Sequence, residues 1–277
     1  MKKNERAAAI VRTIVVSLIA VLFVVPLVWM VLSSLKTAPE VFARPFHWLP
    51  ARVQWQNYAT VWMNEEASML RAFANTLYIA LFSIIGQMFI SSLAAYSFAK
   101  INFKGKQVVF MLFLSSMMVP SQLTIIPRFM LFKTIGLYNN LWAIILPAFF
   151  GATSIFMLRQ FYMGLPNDLI EAAKIDGAGH LRIFLRIMLP LTKAALMSLI
   201  ILAFISSWNE YMAPLIFLVK KELYTVSQNI QWYMLDEFKE HNLTMGAATS
   251  AIVPVVILFI VGQKYFVEGI ATSGVKG

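Results

Sequence analysis

An all-α membrane protein with six transmembrane helices is the fold class this sequence predicts, and three observations carry it. Of the 277 residues, 60% are hydrophobic and only 13% charged, where soluble domains carry about a quarter charged residues. The charges stand at the edges of long apolar runs and almost never inside them. Six of those runs reach the length of a spanning helix, which needs about 20 predominantly apolar residues. One soluble core could not hide so much apolar surface, so lipid is the expected solvent. Buried helices of a large soluble protein would show shorter runs and a charged outer face.

The first window, Thr13 to Leu35, holds 23 residues between Arg12 and Lys36. Lys2, Lys3 and Arg6 precede it, as basic residues precede a cleaved leader. A leader's apolar stretch is only about 7–15 residues, and this one runs on through Pro26 and Trp29, so it is expected to remain as a helix. Ala72 to Ala99 holds 28 residues, Gln107 to Pro127 21 and Thr134 to Leu158 25. Ala194 to Val219 holds 26, broken only by Glu210, and His241 to Gln263 holds 23. Trimmed at their polar ends, the spans are expected at approximately 13–35, 73–99, 107–128, 137–158, 194–219 and 244–264, within a single transmembrane domain of residues 1–277.

A net charge of +10, from 23 Lys+Arg against 13 Asp+Glu, invites a nucleic-acid reading. That reading needs basic residues gathered on one face with aromatics between them, whereas here they lie scattered between apolar runs. With both termini on the inner side, 14 of the 23 basic residues fall in inner segments and 9 in outer ones, Arg128 among the latter. Inner loops are the ones enriched in Lys and Arg, and Lys100, Lys104 and Lys106 share one such loop with no acid. Most of the positive charge is therefore expected on the cytoplasmic side, with both termini. The absence of cysteine excludes disulfides, thiolate metal sites and cysteine nucleophiles. His47, His180 and His241 lie too far apart in sequence to suggest a metal site.

Three loops differ in kind. Residues 36–71 carry Pro39, Pro45 and Pro50 among Phe42, Phe46, Trp48, Trp55 and Trp62, a composition suited to the lipid–water interface or to docking. Residues 220–245 are acidic and aromatic. The loop 164–193 reads GLPNDLIEAAKIDGAGHLRIFLRIMLPLTK. Pro166 stops the preceding helix, Asn167 or Asp168 can cap a new one, and Asp168 with Glu171 resembles a capping box. Gly177 and Gly179 after Asp176 supply a helix stop. A second run, His180 to Met188, is expected to place Leu181, Phe184, Leu185 and Met188 on one face, with Arg182 and Arg186 on another. Such a helix–turn–helix serves either as an interfacial connector or as a rigid knob for a cytoplasmic partner.

Glu171-Ala172-Ala173, then Gly177, then Ile187-Met188-Leu189-Pro190, at their spacing, resemble the EAA motif of ABC-importer membrane subunits. Met118-Val119-Pro120 with Thr124-Ile125-Ile126-Pro127, Ser207-Trp208-Asn209-Glu210 and the terminal Gly274-Val275-Lys276-Gly277 are similar to the carbohydrate branch, the six-span maltose-transporter type. The resemblance covers nearly the whole chain. It implies a type I importer permease fold in which the helix around Asp168–Asp176 is a coupling helix, with Asp168, Glu171, Ala172, Ala173, Asp176 and Gly177 forming the joint to a cytoplasmic ATPase. It further implies a second, related permease subunit, two ATPase subunits, an extracytoplasmic solute-binding protein and a sugar substrate. The terminal tail, Val267–Gly277, is expected to contact the ATPase pair. No GxxxxGK[ST] run occurs, so ATP and Mg belong to the partner subunits and this chain is a transport subunit rather than an enzyme.

The substrate path is less sharply marked. Glu210 is the one acid well inside a span, and intramembrane acids are functional candidates by default. Trp208, Asn209, Glu210 and Tyr211 together could line a sugar path. Equally, Asn209 and Glu210 could satisfy backbone freed near Pro214. Asn75, Gln87 and Gln122 fit interhelical glue. A permease for a non-sugar solute is the nearest alternative. An ion-coupled transporter would be expected to carry more intramembrane charges than this.

Overall fold

The computed structural model describes residues 2–235 and 240–274. Asp236 to Lys239 of the 220–245 loop lie outside the described residues. So does the end of the terminal tail from Val275 onward. Among the described residues every regular element is helical.

The chain begins with α1 (Lys2–Ser34), followed by α2 (Ala38–Val41) and α3 (Gln56–Met63) in the 36–71 loop. The second window is the long α4 (Met69–Lys100). The third is split into α5 (Lys106–Ser116) and, after a 3-10 turn at Ser121–Thr124, α6 (Ile125–Thr134). The fourth comprises α7 (Trp142–Ala148) and α8 (Ala152–Gly164), and the loop after it holds α9 (Asp168–Ile175). α10 (His180–Ile183) passes through a π-helical stretch, Phe184–Met188, into α11 (Leu189–Leu191) and then α12 (Lys193–Trp208). α13 (Met212–Phe217), α14 (Val226–Leu235) and α15 (His241–Gly274) complete the order.

Four stretches are long and apolar enough to cross a membrane unaided: Ala8–Ser34, Met69–Lys100, Trp142–Gly164 and His241–Gln263. Six are reached only if each of two bent pairs counts as one span. Lys106–Ser116 and Ser121–Thr134 meet at 88°, and His180–Leu191 and Lys193–Trp208 at 76°. Each break has a local cause. Pro120 holds φ −58, ψ 131 and cannot extend α5. Pro190 offers no N–H to the carbonyl four residues back, and Leu189 N–H reaches the Phe184 carbonyl instead, opening a π turn just before the bend at Thr192.

The chain divides into two compact units. The first, Met1–Leu70 with Asn229–Val253, is tied by buried amides and hydroxyls. Asn57 Nδ2 donates to the Ser34 and Lys36 carbonyls, both at 2.8 Å, satisfying the last carbonyl of α1 and one just beyond its end. Asn242 Nδ2 in turn donates to Asn57 Oδ1 at 3.1 Å. Asn229 Nδ2 and the Tyr233 hydroxyl both donate to the Ala67 carbonyl, at 3.0 and 3.1 Å. Lys36 is buried, its Nζ donating to the His47 carbonyl beneath the Phe46 ring. The 36–71 loop is thus a folded cap with an interior, while Trp48, Leu49 and Trp55 remain on its outside.

The second unit, Arg71–Gln228 with Pro254–Gly277, has a core of Met88, Tyr96, Leu158, Tyr162, Met188 and Leu199 with their neighbours. Lipid tails are as apolar as these side chains, so close packing rather than exclusion from water favours their association within the bilayer. Small residues permit that closeness: a Cβ on Gly86 would lie 2.2 Å from the Phe149 ring, and one on Gly151 2.1 Å from Gln87 Nε2. Gln87 Nε2 donates to Ser154 Oγ at 3.0 Å, linking α4 to α8 as glue. Asn75 instead donates to the Glu222 and Tyr224 carbonyls.

Candidate functional site

The helix α9 is short, and both of its ends are fixed. It starts at Asp168 with Asn167 at the N-cap, and no side-chain bond closes that cap. The capping box expected of Asp168 and Glu171 does not form; both acids instead occupy the first turn, where they complement the helix dipole. The Asn167 side chain is engaged elsewhere, accepting from Lys100 Nζ at 2.7 Å. At the other end Gly177 stands at φ +77. Its N–H reaches the Lys174 carbonyl at 3.0 Å, and Ala178 N–H reaches the Ala173 carbonyl at 2.9 Å. Those two bonds are a Schellman stop, the role the sequence assigns to the glycine.

One face of α9 is held and the other is free. Ile170 and Ala173 are buried in the core with Tyr96, Leu158, Tyr162 and Ile183. Asp168, Glu171, Ala172, Asp176 and Gly177 are exposed, and Ile175 is 87% exposed. The two alanines of the motif therefore do different things: Ala173 lets the helix sit tightly on the core, and Ala172 belongs to the outward face. Ile175, which reads in the sequence as an apolar residue of this helix but not as part of the joint, is the most prominent apolar side chain there.

Three cations stitch the helix ends together. Lys100 Nζ donates to the Leu165 carbonyl, just past α8, as well as to Asn167, both at 2.7 Å. Arg159 Nε donates to the Phe98 carbonyl at 3.3 Å while its guanidinium lies 4.1 Å over the Phe110 ring. Lys106 Nζ donates to the Ile101 carbonyl at 2.9 Å. Orphan carbonyls at the end of α4 thus meet positive charge, where the helix dipole favours it. Sequence reasoning used these residues only to count charge; the acid-free Lys100–Lys106 run was the signal available.

In the second half of the loop the apolar face is rotated from the expected one. Ile183, Phe184 and Met188 are buried, but Leu181 and Leu185 are exposed. Ile183, Phe184, the half-buried Ile187 and Met188 still follow a helical period, so the buried stripe is offset by about one residue from the expected one, onto Ile183 and away from Leu181. His180 Nδ1 and the Tyr96 hydroxyl share a hydrogen bond of 3.1 Å.

The Trp208–Tyr211 cluster sits at a break between α12 and α13. Asn209 Nδ2 donates to the Ile205 carbonyl at 2.8 Å, and Glu210 Oε1 accepts from Ala213 N–H at 3.0 Å, so both serve backbone groups at the two helix ends. Trp208 is buried, stacked on Phe204 at 5.4 Å and edge-on to Phe73 at 5.3 Å. Of the four residues only Glu210 reaches a cavity of about 570 Å³ within the second unit. The polar wall of that cavity is Ser83, Gln87, Ser121, Gln122, Arg128, Thr153, Ser154, Ser206, Ser207 and Glu210. Trp208, Asn209 and Tyr211 are not on the wall. Arg128, counted in the sequence with the outer charges, is on it.

An exposed, double-ended helical handle on a body of long apolar helices, with a polar cavity among them, defines a multi-pass membrane transport subunit. The comparisons make the class specific. Residues 87–272 match the family described as "Binding-protein-dependent transport system inner membrane component", and the chain belongs to that family. It is 33% identical over 267 residues to the arabinooligosaccharides transport system permease protein AraQ of Bacillus subtilis (strain 168), covering 96% of this chain and 95% of that protein. It is 30% identical to the melibiose/raffinose/stachyose import permease protein MelC of the same organism, over 96% of each chain. It is 29% identical to the sn-glycerol-3-phosphate transport system permease protein UgpE of Pectobacterium atrosepticum, over 94% of each. In fold it matches a chain of a bacterial ABC transporter involved in import of the acidic polysaccharide alginate. The TM-score is 0.84 at 23% identity, over 95% of this chain and 98% of that one.

Proposed function

We propose that this chain is a membrane permease subunit of a carbohydrate importer, working with a second, related permease, two ATPase subunits and an extracytoplasmic solute-binding protein. ATP and its Mg reside on the ATPase subunits, and both termini of this chain lie in the cytoplasm. The observation that carries the mechanism is the construction of α9. Ile170 and Ala173 anchor it in the core, Lys100 holds its entry and the Gly177 stop sets its exit. Glu171, Ala172 and Ile175 face outward. A helix seated in this way transmits a push to the body instead of bending under it. ATP-driven closure of the ATPase pair then switches the spans between two arrangements, a two-state change driven through a rigid element.

The carbohydrate reading is supported by AraQ and MelC, whose names specify oligosaccharides, and by a cavity wall rich in hydroxyl and amide groups. UgpE, whose substrate is a phosphorylated polyol, is the observation behind a second reading, a small phosphorylated solute. Uptake into proteoliposomes carrying the full complex separates the two. The carbohydrate reading expects ATP-dependent uptake of a neutral sugar from a panel of arabinobiose, melibiose and diacetylchitobiose. Uptake of sn-glycerol 3-phosphate with none of the sugars would replace it by the second reading.

A further inference from the structure

Arg128 is a charge among apolar helices that neither the family match nor the motifs explain. Its guanidinium lies 5.1 Å over the Phe217 ring, which holds it in place without using its N–H donors. Its Nε is buried and has no hydrogen-bond partner. Glu210 lines the same cavity. Its Oε1 is occupied by Ala213 N–H, and no hydrogen bond from a described residue reaches its Oε2. No ion pair joins the two charges. Each charge thus keeps hydrogen-bonding capacity that no described residue uses, and charge at membrane depth is expensive unless it is satisfied.

We infer that Arg128 and Glu210 form a ligand subsite within this chain for a neutral, polyhydroxylated molecule, the guanidinium donating to one ligand oxygen and the carboxylate accepting from a neighbouring hydroxyl. Sugar hydroxyls both donate and accept, so one pair of adjacent hydroxyls satisfies both groups. An acidic sugar would gain Arg128 but meet the charge of Glu210. Gln87, Gln122, Ser83 and Ser206 supply further polar contacts around the pair. A cavity of about 570 Å³ is in the usual range for a small organic ligand and suits a sugar of about two rings. The inference rests on the carbohydrate reading above and sharpens it: the permease itself, and not only the binding protein, discriminates charge.

The test begins with the neutral disaccharide that the wild-type complex imports best from the panel above. Its equilibrium binding is then measured on the purified complex without the binding protein, per assembled complex. Glu210→Gln and Arg128→Gln are each expected to weaken binding about tenfold or more, the loss typical of a hydrogen bond to a charged group. Arg128→Lys keeps a cation over Phe217 but lacks the planar fork of guanidinium N–H donors, and it is expected to weaken binding as well while assembling normally. Glu210→Gln is also expected to gain affinity for digalacturonate. Wild-type affinity in Arg128→Lys and Glu210→Gln would overturn the subsite. So would a wild-type complex that imports the sugar but binds none without its binding protein. Import of no sugar at all would instead overturn the carbohydrate reading on which the subsite rests.

Discussion

Replacing Gly177 tests the handle with a magnitude that the structure supplies. Its φ of +77 lies in the left-handed region, and a Cβ there would meet nothing within 4 Å. Crowding therefore contributes nothing, and the whole effect is the local backbone preference, about 1–2 kcal/mol for an ordinary L-residue. A β-branched side chain is the worst case, and asparagine the mildest. Gly177→Val should thus shift the fraction of molecules with a correctly ended α9 by roughly 5–30-fold, while Gly177→Asn should stay near wild type. Gly177→Asp adds a negative charge beside Asp176 at the negative end of the helix dipole, so it should fall between them. The assay is binding-protein-stimulated ATPase activity and uptake in proteoliposomes. The expected order is wild type, Asn, Asp, Val, with assembly intact throughout. Full stimulation in Gly177→Val would refute the claim that the Schellman stop sets the direction of the handle.

Other substitutions probe the supports. Lys100→Met leaves the Leu165 carbonyl and Asn167 without their donor and should destabilise the α8–α9 junction by about 1–3 kcal/mol, seen as faster proteolysis within 164–193; unchanged proteolysis would count against the anchor. Gly86→Ala drives a methyl into the Phe149 ring and should lower thermal stability by about 1–3 kcal/mol. Gly151→Ala meets the movable end of Gln87 and should do less, and Gly164→Ala, with open space around it, should be neutral. Glu40 accepts from Thr37 N–H and Oγ1 at 2.9 and 3.0 Å and from Ala51 N–H at 3.3 Å. The Thr37 backbone bond, the largest cause, holds its pKa below the usual value. Its contribution is therefore fully present above the unfolded-state value of about 4.3 and is lost as pH falls through the lower folded-state value. The stability difference between wild type and Glu40→Gln should accordingly shrink below about pH 4; a difference that grows on acidification would reverse the assignment.

The apolar windows made the spans legible because charge marks where lipid ends. The same criterion is blind to direction. Met117, Met118 and Val119 are as apolar as the residues around them, so only Pro120 hinted that the third window turns by 88°. The Asp176–Gly177 stop could be read from residue type, since glycine supplies a left-handed φ that other residues resist. The N-cap could not, because whether Asn167 bonds its own helix or Lys100 depends on where a residue 67 positions away lies. The buried face of the second amphipathic run was misplaced because Leu181, Ile183, Phe184, Leu185, Ile187 and Met188 are all apolar, and two overlapping 3.6-residue stripes fit them; only the packing against the core selects the one through Ile183. Arg128 was invisible as a cavity residue because a charge near the end of a window reads the same whether it faces water or a polar wall inside the bundle.

The central claim is that the outward face of α9 meets an ATPase subunit. The chain contains no cysteine, so a single Ile175→Cys variant carries the only thiol on this subunit. A short bifunctional cross-linker on the assembled complex should join position 175 to an ATPase subunit, with a yield that changes when ATP closes the pair. Ala173→Cys, buried at 7% exposure, should give little adduct. An ATPase adduct at 175 that responds to nucleotide is the result predicted. No ATPase adduct at 175 in a complex that hydrolyses ATP and transports normally would contradict the assignment of α9 as the coupling helix.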